Sequence, residues 1–397
     1  MIFNNYYDLS LYFNGHELSD IDPESYSFSV HDSIKSFYSS ASLQIVDPSG
    51  IFHESLFDCE GNIFKIHYGI NKSTSFESNY VVINNETPDI MRTGLLSGHL
   101  NINMLHEFYD YQVVENNAYK GRISDIVSKL VSTYPFGSID KNDTGSDSIW
   151  YQMSMTQKDF VEKVLIPNAY SSNANNSPFA CFITTDNKFN FRNYYWLLNN
   201  KKNITLVYKP RTQDDTSLTS IIDIKPFRKG SKYSKIARYR EIVTRDYTTG
   251  SYSKEYSSIT DNPTVKLGNL KVPIVCPNNK KVTNYEYYSF TKKENGESES
   301  LKARKNYIDI NSYDLDKLLI TTLFNPDLHS GMVITINASV ARDTGIEYGL
   351  SQSGQYLIED CIHSWDGIST RKGITTLVVS RKFMSVPNYL VKDLLIS

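Results

Sequence analysis

The sequence predicts a mainly β protein with an α+β insert: two related β-barrel-like domains and, between them, a small helix-containing domain. Three observations carry this. Apolar and polar residues alternate in short runs up to about residue 115, the period changes from two to 3.6 near residue 120, and β alternation returns from Ile204. The 397-residue chain is 40% hydrophobic and 13% aromatic, enough for several cores and rich in residues that favour strands. A chain that stays unfolded is excluded.

In the first region Leu9 to Phe13, Tyr26 to Val30 and Ala41 to Val46 read as strands, the last with Ala41, Leu43 and Ile45 on one face. Asp47-Pro48-Ser49-Gly50 turns the chain. Ile63 to Tyr68 follows, with Phe64, Ile66 and Tyr68 inward and Ile63, Lys65 and His67 on the other face. Tyr80 to Ile83 and His99 to Leu105 are further strands, and Phe108 to Val114 closes the region. This spacing suits a sandwich or barrel.

Ile123, Ile126, Val127, Leu130 and Val131 form one apolar stripe on a helix that Pro135 must stop. Thr156-Gln157-Lys158-Asp159 resembles a capping box with Asp in place of Glu, and Phe160, Val161, Val164 and Leu165 make that second helix's buried face before Pro167. Phe179 to Thr184 and Lys188 to Tyr194 read as a hairpin around Asp186-Asn187, residues that tolerate positive φ.

A polar stretch from about Tyr247 to Ser300 interrupts the second β region, which then closes with Met332 to Asn337, Tyr356 to His363 and Thr375 to Ser380. The expected organisation is 1–115, first β-domain; 116–205, small α+β domain; 206–246, start of the second β-domain; 247–305, an inserted polar segment associated with the middle domain; 306–386, the rest of the second β-domain; and 387–397, a docking tail. Two patterns recur in order. Gly61-Asn62-Ile63-Phe64-Lys65-Ile66 echoes Gly331-Met332-Val333-Ile334-Thr335-Ile336, and Leu105-His106-Glu107-Phe108 echoes Ile362-His363-Ser364-Trp365. On these residues alone, duplication and chance recurrence both stay open.

Lys+Arg 41 against Asp+Glu 44 leaves a formal charge of -3, with no overall electrostatic reason to coat nucleic acid or an anionic membrane. Cys59, Cys181, Cys276 and Cys361 lie far apart, without metal-ligand spacing, and suit a reduced compartment. No signal-peptide pattern and no apolar run of membrane-spanning length occurs, so neither export by that route nor insertion in lipid is expected.

The nucleophile elbow, phosphate-binding loop, dinucleotide fingerprint and zinc-protease motif are all absent, so no catalytic, cofactor or metal residue is assigned and no enzymatic activity is expected. Glu359-Asp360 could be offered as an acid/base pair. Neighbours in a strand point to opposite faces, however, and cannot share a substrate. His106 and His363 could be bases or ligands, but neither has a second ligand nearby in sequence, which favours packed histidines. Lys225, Arg228, Lys229, Lys232, Lys235, Arg238, Arg240 and Arg245, interleaved with Phe227, Tyr233 and Tyr239, could follow a nucleic-acid backbone, but the overall charge favours a solvated or protein-facing role. In the tail, Tyr389, Leu390, Val391, Leu394, Leu395 and Ile396 are apolar enough to require docking and are the expected partner-interface residues.

The order of domains and several local patterns resemble the central baseplate hub proteins of contractile-tailed bacteriophages, the family of late control protein D and the N-terminal part of the VgrG spike protein. The resemblance rests on Gly121 to Leu130, Tyr151-Gln152, Thr156 to Val161, Phe179 to Ile183 leading to Lys188 to Phe191, and then on Leu328 to Ile334, Tyr356 to Trp365 and Thr376 to Val379. It covers most of the chain by residue type rather than by a signature motif. The Asn/Ser loop at 171–177 and the stretch at 247–300 depart from it, and no needle repeat or lysozyme-like segment follows the second β-domain.

The resemblance implies two tube domains per subunit and a homotrimer that forms a pseudo-sixfold ring in the virion baseplate, assembled in the host cytoplasm. Such a ring would join a hexameric tail tube to a separate trimeric central spike, contact other baseplate proteins and let DNA pass through its lumen. The lumen is expected to carry acidic or neutral side chains and the basic run to face protein. The competing reading is a β-rich adhesin or carbohydrate-binding tail protein, using its exposed tyrosines. A peptidoglycan hydrolase carried on a tail is the enzymatic rival, and it lacks a catalytic constellation.

Overall fold

The computed structural model describes residues 7–19, 21–47, 60–70, 74–86, 98–109, 113–132, 137–139, 148–169, 178–199, 201–208, 218–227, 239–246, 250, 252–258, 264–267, 270–273, 283–289, 316–341, 347–349, 352–381 and 385–386. Alternation in the first region gives six long strands, β1 (Tyr7–Phe13), β2 (Tyr26–Ser33), β3 (Ser40–Asp47), β4 (Ile63–Ile70), β5 (Thr74–Glu86) and β6 (Gly98–His106), with a two-residue strand, His16–Glu17, on the outer edge of β1. They lie side by side as β2-β3-β6-β5-β4-β1, every neighbour antiparallel. Because side chains alternate across a strand, Phe28, Val30, Leu43, Ile45, Phe64, Ile66, Tyr68, Ile102 and Met104 fall together in one core. Each such residue contributes roughly 1.5–3 kcal/mol by leaving water.

The middle region holds β7 (Glu115–Gly121), α1 (Ile123–Leu130), β8 (Gly137–Ile139), β9 (Ser148–Met155), α2 (157–168), β10 (Phe179–Ile183), β11 (Phe189–Asn193) and α3 (Tyr194–Asn199). The stripe of α1 is buried as its spacing requires, against Phe160, Val161, Val164 and Leu165 of α2. Thr156 caps α2, its Oγ1 accepting from the Asp159 amide at 3.1 Å, while the Asp159 carboxylate turns to Lys163 at 2.8 Å. Pro167 does not stop α2 ahead of itself as expected. The chain widens into a π segment over Val161–Leu165, where the Ile166 amide donates to the Val161 carbonyl, and the proline sits in the last turn. Opening the ladder one turn earlier accommodates a residue that has no amide and crowds the preceding turn.

The last region supplies β12 (Lys201–Tyr208), β13 (Ile221–Pro226), β14 (Tyr239–Asp246), β15 (Tyr252–Ser258), β16 (Thr283–Ser289), β17 (Asp316–Leu323), β18 (Val333–Ala341), β19 (Gly354–Asp366) and β20 (Lys372–Arg381). Strands β14 to β16 form a sheet of their own. The other six lie in the order β13-β17-β20-β19-β18-β12. In chain order both modules therefore read second-third-sixth-fifth-fourth-first, and the fold contains two related β modules. One difference separates them: β12 runs parallel to β18, whereas β1 runs antiparallel to β4.

The fifth strands match in detail. Both β5 and β19 are 13 residues long. Each breaks register against the sixth strand, between Val82 and Asn84 in one and between Ile358 and Asp360 in the other, so Ile83 and Glu359 are the extra residues of equivalent bulges. Beyond its bulge β19 leaves β18 and pairs with β2, Asp360 opposite Ser33 through Asp366 opposite Ser27, which fuses the two modules into one continuous sheet. Trp365 and Phe324 of the second module enter the first module's core.

The β2–β3 connection is a wedge rather than a simple turn. Phe37 and Tyr38 are buried in the helical core, and Ile34 packs with Phe182, Leu197 and Leu357. The Phe37 amide donates to Glu162 Oε1 at 3.0 Å, and its carbonyl accepts from Ile183 at 3.0 Å.

Candidate functional site

The residues singled out by the sequence separate in space. His106 ends β6 in a buried position, its Nε2 3.0 Å from Asn187 Oδ1 and its ring against Phe108. Burial lowers its pKa to about 4, against a smaller upward effect of the Asn187 bond. His363 lies on β19, in a strand not equivalent to β6, so the second echo pairs unrelated positions. Its Nε2 is 3.0 Å from the Leu328 carbonyl and its Nδ1 3.0 Å from Thr375 Oγ1. The carbonyl can only accept, which assigns the proton to Nε2. Burial, then the neighbouring His329, lowers His363 to about 4. Both rings are packed, neutral imidazoles.

Glu359 and Asp360 also diverge. Glu359 is buried between Lys317 and Lys35, the latter at 2.9 Å, while Asp360 faces His31 at 3.7 Å. Burial raises the Asp360 carboxyl, but His31, Ser33 and Lys35 outweigh it and hold it below the usual range. Cys181 and Cys361 are free and buried, and burial pushes both thiols up. Among the described residues no group of three or more His, Cys, Asp or Glu side chains could hold a metal ion. The tail residues Tyr389, Leu390, Val391, Leu394, Leu395 and Ile396 lie outside the described residues, as do Arg228 to Arg238 of the basic run.

Two features were not predicted. The first is a buried polar junction where the middle hairpin meets both β modules. Asp32 of β2 is fully buried and accepts from the Thr185 amide at 2.9 Å and the Ser330 amide at 3.0 Å. His329 stands between two carboxylates, Nδ1 3.8 Å from Asp32 and Nε2 3.9 Å from Asp186. Burial raises the Asp186 carboxyl, yet His329, Lys188 and Thr184 outweigh it and lower it overall. The hairpin turn is held further by Ser78, which donates to the Thr185 carbonyl, and by Asn187, which donates to the Glu77 carbonyl at 2.7 Å. Asn187 adopts φ 58, the left-handed conformation its position in the turn requires.

The second is the face of the continuous sheet opposite the core. Ser364, Ser29, Ser42, Asn103 and Asn84 lie opposite one another across β19-β2-β3-β6-β5. Asp366, Ser27, Gln44, Asn101 and Glu86 form the next row. Ser29 and Ser42 hydroxyls are 2.8 Å apart, and Gln44 donates to Asn101 Oδ1 at 3.1 Å. These side chains line a groove across four strands, while the alternating residues Phe28, Leu43, Ile102 and Trp365 are buried beneath.

Toward the second module the face continues as Thr376, Thr321 and Asp223. Lys225, the first residue of the basic run, also lies on it, at the β13 edge and ion-paired with Asp223 at 2.5 Å. Arg240 and Arg245 belong instead to β14 and the separate three-stranded sheet. Across β2, β3 and β6 the two rows present hydroxyls and amides, with Asp366 at the β19 end, and on β20 they continue as Ile374 and Lys372.

No protein-family model matches the sequence, and no curated protein is similar to it in sequence. The fold is shared with solved structures. The crystal structure of the tail protein from Neisseria meningitidis MC58 superposes with a TM-score of 0.56 at 9% identity, covering 96% of this chain and 98% of that one. The 43 kDa tail protein of prophage MuSo2 from Shewanella oneidensis does so with a TM-score of 0.51 at 8% identity, covering 95% and 98%. The chain has the fold of these tail proteins.

Proposed function

We propose that this protein is a structural subunit of a phage tail baseplate, acting as a hub by assembly rather than catalysis. The observation that supports this best is the repeated strand order, fused through β19 and β2 into one sheet whose outer face is lined by hydroxyls and amides where the modules meet. Three copies of a two-module chain supply six similar modules, and closed rotational symmetry is how such subunits usually assemble. A ring of that kind meets a hexameric tail tube on one side and a trimeric central spike on the other, with other baseplate proteins around it.

In this reading the Ser/Asn/Gln face lines the lumen, where DNA passes without being held. The basic segment beyond Lys225 and the apolar tail from Tyr389 to Ile396 serve protein contacts, the tail docking on a neighbouring subunit. The protein then belongs to the virion and assembles in the host cytoplasm.

Native mass measurement over a range of concentrations, with particle imaging, tests the proposal. A trimer with a central channel is expected. A monomer or closed dimer at every concentration, also in the presence of the spike and tube proteins, overturns it. Truncation after Val386 should weaken the trimer, and an unchanged trimer removes the tail's role.

A further inference from the structure

A tyrosine in a core brings a hydroxyl that phenylalanine would not, and a buried hydroxyl needs a partner. Tyr68 of β4 and Tyr80 of β5 are both fully buried. Among the described residues, neither phenol oxygen has a partner in hydrogen-bonding geometry. The same holds for two buried serine hydroxyls, Ser39 just ahead of β3 and Ser330 in the turn before β18. All four residues lie where the middle hairpin meets the two modules. Thr185 stands beside Tyr68, Ser39 and Ser78 stand beside Tyr80, and the Ser330 amide donates to Asp32 at 3.0 Å.

The neighbouring groups are committed elsewhere. Ser78 spends its hydroxyl proton on the Thr185 carbonyl, and Thr185 Oγ1 lies 3.3 Å from Asp32 and 3.2 Å from His329 Nδ1. The Asp32 carboxylate already accepts from the Thr185 and Ser330 amides. Burial raises both phenols above their ordinary range, and the adjacent hydroxyls offset that only in part. Each phenol therefore keeps its proton and can both donate and accept. The cluster calls for a small molecule that does the same. An anion would meet the Asp32 carboxylate, and an apolar molecule would leave every hydroxyl unpaired.

We infer that this junction is a buried water site, bounded by the hydroxyls of Tyr68, Tyr80, Ser39 and Ser330. A buried water makes roughly two to four hydrogen bonds, and these hydroxyls supply that many partners. They also come from different bodies. Tyr68, Tyr80 and Ser39 belong to the first module and Ser330 to the second, with Thr185 of the hairpin alongside. Water there joins them where their own side chains do not bond, at little cost beyond a direct hydrogen bond. Docking of the hairpin thus depends on water as well as on Asp32, whatever the way in which copies of the chain assemble.

Crystals of the full chain grown in rubidium chloride test the site. Oxygen density within hydrogen-bonding distance of the Tyr68 and Tyr80 hydroxyls, without anomalous signal, is expected. An anomalous peak at that point makes the occupant a monovalent cation and overturns the assignment to water. Hydroxyls bonded directly to one another, with nothing between them, overturn the site. In solution, Tyr68→Phe and Tyr80→Phe remove the hydroxyls and keep the rings. Each should lower the denaturant midpoint, and the double variant should lose long-lived water in magnetic relaxation dispersion of the water oxygen. Removing an unpaired buried hydroxyl relieves a cost instead. Midpoints that hold or rise in both variants, or a dispersion amplitude equal to that of the unmodified chain, therefore overturn the inference.

Discussion

Gly61 and Gly331 occupy one position in two modules. Each has φ +82, and each donates its amide at 2.9 Å to the carbonyl of the residue just before a bulge, Val82 for one and Ile358 for the other. The residues after them accept the return bonds, from the Val82 amide to the Asn62 carbonyl and from the Ile358 amide to the Met332 carbonyl, both at 2.9 Å. A positive φ just ahead of the fourth strand and a bulge in the fifth thus form one repeated device. It turns each sheet and frees the end of the fifth strand to pair elsewhere.

Alanine at either glycine should destabilise the protein, but not equally. At Gly61 the left-handed backbone costs an alanine roughly 1–2 kcal/mol. At Gly331 a Cβ would also lie 2.7 Å from Phe182 Cζ, so Gly331→Ala should cost clearly more. Denaturant midpoints of the two variants measure the difference, and equal losses would show that the Phe182 contact relaxes freely.

Much of this was legible in the chain. Thr156 announced its helix because a cap needs a side-chain acceptor, and Asn187 announced its turn because the left-handed region admits few residues. The Gly61 and Gly331 echo marked equivalent strands because a glycine with positive φ is a backbone requirement. The His106 and His363 echo did not, since apolar-His-x-aromatic is a packing pattern that any inward-facing strand can carry. Strand β17 escaped notice because Leu318-Leu319-Ile320 does not alternate. The polar junction was invisible because Asp32, Thr185 and His329 are brought together by three separate segments, and each alone reads as a turn or surface residue.

Asp32 should be among the least replaceable polar residues. Its carboxylate satisfies the Thr185 and Ser330 amides, so Asp32→Ala would leave two buried donors without their acceptor. The expected loss is on the order of 3–5 kcal/mol, as for other buried charged partners. Hydrogen exchange should speed up at Thr185 and Ser330 before the strand cores respond. Unchanged protection at both amides would show that the hairpin is held mainly by Ser78 and Asn187.

Stability should fall in mild acid because of His106 and His363. Both are lowered to about 4 in the folded protein, chiefly by burial. An unfolded histidine protonates near 6.5, so their contribution is complete above that pH and is lost as the pH falls from about 6.5 toward 4. Replacing both by Gln should flatten this part of the stability profile. At neutral pH the lost hydrogen bonds should cost about 1–3 kcal/mol each, with the fold and quaternary mass otherwise kept. Denaturant midpoints at several pH values in this window provide the measurement, and an equally steep profile in the double variant would assign the acid sensitivity to other groups.

The hydroxyl and amide face yields the sharpest test of what the ring is for. Ser42 and Asn103 lie opposite each other in the middle of the first row, with a partly exposed or exposed side chain at each. Lysines at both positions should therefore alter the surface without entering the core, and melting temperature should change little. If this face lines a channel, a closed ring of the double variant gathers about six new cations around the passing strand, and each phosphate neutralised steepens the salt dependence of duplex binding by about 0.9 in log units. The unmodified protein should bind far more weakly, because Ser42 and Asn103 carry no charge at these positions. Salt-dependent retention of DNA by the double variant in its trimeric form, but not as monomer, is the expected result. Equal binding by trimer and monomer would place this face on the outside of the assembly, since only a lumen concentrates the added charges of several subunits on one duplex.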